Sequence, residues 1–92
     1  MNYRVVWRLR VRQKIDVLAF LAREQGDDSE RLDRAVEEIE FRLSAAPHVE
    51  GESRADPERV LIVHPLSVQY EVFDSDQVVL IHAAVYYPRM LL

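Results

Sequence analysis

The chain has no cysteine, only two glycines (Gly26 and Gly51) and a single lysine, Lys14. The missing thiols exclude disulfides, thiolate nucleophiles and cysteine zinc sites, and they fit a cytoplasmic protein. Two distant glycines cannot build a glycine-rich phosphate loop, and no serine stands in a nucleophile-elbow pattern. The histidines His48, His64 and His82 lack the spacing of metal ligands, so neither a metal nor another cofactor is expected. No apolar run approaches the roughly 18 residues of a membrane-crossing helix. Residues 1–14 have neither a continuous apolar stretch nor a small-residue cleavage site, so no signal peptide is expected.

What is present points to one domain over residues 1–92. Hydrophobic residues make up 49% and charged residues 30% of the chain, a balance that excludes both a disordered and a membrane-embedded class. The net charge of −4 is unevenly spread. Residues 1–14 carry five positive charges (Arg4, Arg8, Arg10, Arg12, Lys14) and no acid, whereas residues 15–58 carry thirteen acids against five bases. Tight nonspecific nucleic-acid binding gathers positive charge against phosphates, and only the first strip could supply it.

The elements follow from periodicity. Residues 3–8 mix β-branched and aromatic residues with arginines and predict a first strand. From Leu9 onward, Val11, Ile15, Leu18 and Ala22 share one helical face, which Val17, Phe20 and Leu21 widen, and Gly26 ends the helix. Asp27 caps a second helix, with Glu30 at capping-box spacing. Leu32, Ala35, Val36, Ile39 and Leu43 form its buried stripe, Glu30/Arg34 and Glu38/Arg42 its i, i+4 pairs, and Pro47 its stop. Residues 47–58 read as the longest loop. Three strands then cover residues 59–64, 66–73 and 77–86, with Pro65 and Asp74-Ser75-Asp76 at the turns. The expected fold is α+β, in the order β-α-α-β-β-β, with a helical hairpin packed on one face of a small, mainly antiparallel sheet.

In this order, Leu43-Ser44-Ala45-Ala46-Pro47, Glu50-Gly51-Glu52-Ser53-Arg54, Arg59-Val60-Leu61-Ile62-Val63, Val68-Gln69-Tyr70-Glu71-Val72 and Tyr86-Tyr87-Pro88-Arg89 resemble the RelE/ParE family of toxins. The likeness covers nearly the whole chain and rests on order and spacing, not on any single motif. It implies a type II toxin, of the kind also called plasmid stabilisation proteins, neutralised by a partner antitoxin. RelE-like members cut mRNA on the ribosome; ParE-like members inhibit DNA gyrase. This chain has one lysine where RelE-like members have many, and tyrosines where their last strand ends in histidine and arginine.

Metal-free RNA cleavage needs a proton acceptor, a cation for the phosphate and a proton donor. The resemblance implies Glu52, Arg54, His82 and Tyr86 as the catalytic candidates, with Arg59, Tyr87 and Arg89 for binding. Strand alternation sets His82, Ala84 and Tyr86 on the open face of the sheet, and Val79, Ile81, Ala83, Val85 and Tyr87 toward the helices. Each candidate also has a structural reading: a hydrogen-bonded sheet histidine, packed tyrosines, a self-ordering loop, a solvated tail. The scarcity of lysine and the acidic charge favour a toxin acting through protein contacts, or a non-toxic interaction module, over a ribonuclease. A homodimer stays open.

Overall fold

The computed structural model describes residues 2–26, 29–55 and 57–87, with only the backbone of Arg54 and Ala55. The expected cap Asp27 and the binding candidate Arg89 lie outside the described residues, as does the side chain of Arg54.

Strand β1 (Arg4–Trp7) leads into α1 (Leu9–Glu24) and α2 (Ser29–Ala45), followed by β2 (Glu52–Ala55), β3 (Glu58–Val63), β4 (Leu66–Phe73) and β5 (Val78–Tyr86). The five strands form one sheet in the order β1-β5-β4-β3-β2. β1 runs parallel to β5, and the other pairs are antiparallel. The α+β expectation holds, with one addition. Residues 52–55, inside the expected loop, form a short outer strand on β3. Glu52-Ser53-Arg54-Ala55 carries no apolar alternation, so an edge strand of this composition has no signature of its own.

The α2 stripe packs as its spacing predicts: Leu32, Ala35, Val36, Ile39 and Leu43 are all buried. Beneath them lie Leu61 and Val63 of β3, Leu66, Val68 and Tyr70 of β4, and Val79, Ile81 and Ala84 of β5. α1 departs from expectation. It buries Val11, Ile15, Ala19 and Ala22, but Val17, Phe20 and Leu21 stay 56%, 53% and 44% exposed. Gly26 ends α1 with a positive φ, as a residue without Cβ does most readily.

Trp7 joins the layers. Its ring packs against the core, its indole Nε1 donates to Glu40 Oε2 of α2 at 3.1 Å, and the Arg12 guanidinium lies 5.9 Å from the ring centre. At the other end, Tyr3 N–H donates to the carbonyl of Ser44, tying β1 to the end of α2.

Candidate functional site

The helices cover one face of the sheet and leave the other open. By the pleat, Arg4 and Val6, Leu80, Ser67, Gln69 and Glu71, Glu58, Val60 and Ile62, and Glu52 face away from the buried set. Ile62 is 63% exposed there. Three carboxylates, Glu52, Glu58 and Glu71, thus share this face with Arg4 of β1.

His82 belongs to this face. The register of β4 against β5 pairs Gln69 with Ala83 but Tyr70 with Ile81, so His82 is an extra, bulged residue. Its Nε2 lies 2.6 Å from Glu58 Oε2, an approach that spans β4. Both atoms are buried, and their angle is not that of a hydrogen bond. The contact is therefore an ion-pair approach, charged on the histidine only when it is protonated.

The bulge also inverts the alternation that follows it. Ala84 is buried and Tyr86 packs against the core, whereas Val85 is 46% and Tyr87 50% exposed. Tyr86, expected on the open face with His82, is thus on the helix side, because one inserted residue shifts every later side chain across the sheet. Ala83 and Val85 make the reverse change.

The catalytic candidates do not converge. Glu52 lies on β2 and His82 on β5, three strand spacings apart, or roughly 14 Å at about 4.8 Å each. Proton transfer between catalytic groups needs heavy atoms within about 3 Å or one bridging water. Tyr86 is on the opposite side of the sheet from both. Tyr87 is exposed, and its N–H donates to the carbonyl of Pro65 at 2.7 Å.

Arg59 works as a clasp. On the helix side of β3, its Nη2 donates to the carbonyl of His48 at 2.9 Å and to those of Glu50 and Gly51 at 3.3 and 3.4 Å, and its Nε to the Tyr70 hydroxyl at 3.3 Å. That hydroxyl lies 2.8 Å from the Pro47 carbonyl and 2.5 Å from that of Glu50, sharing its one proton between them. Burial holds the Tyr70 phenol above its ordinary pKa, against the nearby Arg59 cation. Gly51 closes the turn with φ +71°; a Cβ there would meet the Val60 carbonyl oxygen at 2.5 Å. Arg42 grips the same loop through Glu50 at 2.7 and 3.0 Å, which raises the guanidinium pKa further. Next to this loop, Asp74 accepts from Tyr3 at 2.7 Å and meets His48 Nε2 at 2.6 Å. The His48 bond, then the Tyr3 bond, lowers the Asp74 pKa, and the same carboxylate raises that of Tyr3.

Tyr70 and Glu58 were not among the sequence candidates. Tyr70 reads as a core aromatic, and its hydroxyl role depends on where loop 46–51 folds. Glu58 reads as the end of a loop, and its meeting with His82 depends on the strand order. Among the described residues, no group of three or more acids and histidines could hold a metal ion, and no helix is long and apolar enough to cross a membrane.

No protein-family model and no curated protein matches this chain. Among solved structures, a chain in the crystal structure of the toxin–antitoxin complex RelBE2 from Mycobacterium tuberculosis superposes with a TM-score of 0.70 over 97% of this chain and 95% of that one, at 16% identity. At that identity the similarity is one of fold: a helical pair on a mostly antiparallel five-stranded sheet.

Proposed function

We propose that this chain is the toxin of a type II toxin–antitoxin pair, that it acts by binding a cellular target, and that a partner antitoxin neutralises it. The observation that carries the reading is the end-to-end fold likeness to a chain of a toxin–antitoxin complex. The order and spacing of the elements in the sequence, which resemble RelE/ParE toxins, agree with it.

Binding is favoured over RNA cleavage by the chemistry of the open face. Glu52, Glu58 and Glu71 oppose a phosphate backbone, and the His82 ring faces a carboxylate. The position of His82 on that face is the one feature that favours a ribosome-dependent ribonuclease. In the binding reading, the target is a protein such as DNA gyrase.

Expression from an inducible promoter tests the proposal. Growth should arrest, and co-expression of a small neighbouring reading frame should restore it. Unimpaired growth would reduce the chain to a non-toxic interaction module. Site-specific mRNA cuts that vanish in His82→Ala would establish the ribonuclease instead; gyrase-dependent DNA breaks with intact mRNA would support the binding mode.

A further inference from the structure

Opposite the buried stripe of α1, the residues Arg10, Gln13, Val17, Phe20 and Glu24 are all exposed. They follow one another at intervals of three, four, three and four residues, the spacing of a seam between paired helices. Two more exposed residues, Lys14 and Leu21, widen this strip on one side. Arg12 and Arg23 fall on the other side, where Arg12 meets Asp16 at 3.7 Å and the Trp7 ring. Val17, Phe20 and Leu21 make the centre of the strip apolar. Arg10 and Lys14 stand toward one end and Glu24 at the other.

The end charges work against the helix that carries them. Arg10 and Lys14 are like charges at i, i+4, and the first turn holds no acid. A cation there opposes the positive pole of the helix dipole, and Glu24, the last residue, opposes the negative pole. Neither Arg10 nor Glu24 meets an opposite charge among the described residues. Lys14 gives its ammonium to the Ala84 carbonyl, 2.8 Å away, which leaves its aliphatic stem available for packing.

We propose that this strip is the interface of a two-fold homodimer, in which α1 packs antiparallel against α1 of a second copy with Val17 at the centre. Reversal about Val17 sets Arg10 against Glu24 of the second copy, Gln13 against Leu21 and Lys14 against Phe20, and each pair occurs twice. A two-fold interface must complement itself, and this strip does so because its ends carry opposite charge. Each end charge, unfavourable at its own helix terminus, faces the opposite pole of the partner helix, where it is favourable. Lys14 lays its stem on the Phe20 ring without giving up Ala84. A parallel pair would instead set Arg10 on Arg10 and Glu24 on Glu24. The seam from Arg10 to Glu24 is about 21 Å long at about 1.5 Å per residue. An interface this small gives a Kd on the order of 10–100 µM, so the chain is monomeric in dilute solution. The dimer does not depend on the toxin reading.

Sedimentation equilibrium of the full chain, up to about 500 µM, tests the dimer. The parent should associate, and Arg10→Glu and Glu24→Arg should each raise the dimer Kd by about 10-fold or more, since each makes both end pairs repulsive. Both positions are exposed, so thermal melts in dilute solution should match the parent. The decisive sample is an equal mixture of the two single variants. Antiparallel pairing makes both of its end contacts attractive, so the mixture should associate within about threefold of the parent although neither variant does so alone. A parent that stays monomeric throughout overturns the proposal. Association indifferent to both reversals places the interface elsewhere and overturns the α1 assignment. A mixture that stays monomeric while the parent dimerises overturns the antiparallel pairing.

Discussion

The two helices are similar in length and lie on the same face of the sheet, yet they use their apolar residues differently. α2 buries every member of its stripe, with Ile39 and Leu43 fully covered. α1 buries Val11 and Ile15 with two alanines, and leaves its larger Phe20 and Leu21 in solvent. One helix therefore holds the core together, and the other keeps an apolar flank unspent. An amphipathic pattern reports how much apolar surface a helix carries, and not whether its own chain covers all of it.

The strongest challenge to this contrast is Ile39→Asp. A carboxylate at a fully buried, unpaired position should cost more than about 4 kcal/mol and abolish a cooperative thermal transition. A folded variant with the parent's melting point would show that α2 does not anchor the core. Next in size is Tyr70→Phe, which removes the hydroxyl that holds the exit of α2 at Pro47 and Glu50. It should lower stability by about 1–2 kcal/mol in urea titration, with the secondary structure unchanged. The smallest effect belongs to α1: Phe20→Ser should stay within about 0.5 kcal/mol of the parent. A larger loss there would mean that the exposed flank of α1 contributes to the core after all.

The parts of the fold legible in sequence are those governed by local period. The α2 stripe and its pairs Glu30/Arg34 and Glu38/Arg42 needed only the 3.6-residue repeat, and both pairs form, at 3.6 and 3.2 Å. Phe20 and Leu21 were misplaced because the same repeat describes a face covered by the core and one left for something else. The His82 bulge was not legible, because it is a property of two strands in register and only one of them contains the extra residue. That single insertion is why Tyr86 and His82 part company. β2 and the Glu58–His82 approach were hidden for a related reason: both depend on β3 lying between β2 and β4, which residues 52–60 do not encode locally.

The seam at Trp7 has a practical consequence. The chain has one tryptophan. Its indole is wedged among β1, the Arg12 side of α1 and Glu40 of α2. Intrinsic fluorescence therefore comes with a built-in address: the emission colour of the untouched protein registers whether strand and hairpin remain joined, without a dye or an engineered label.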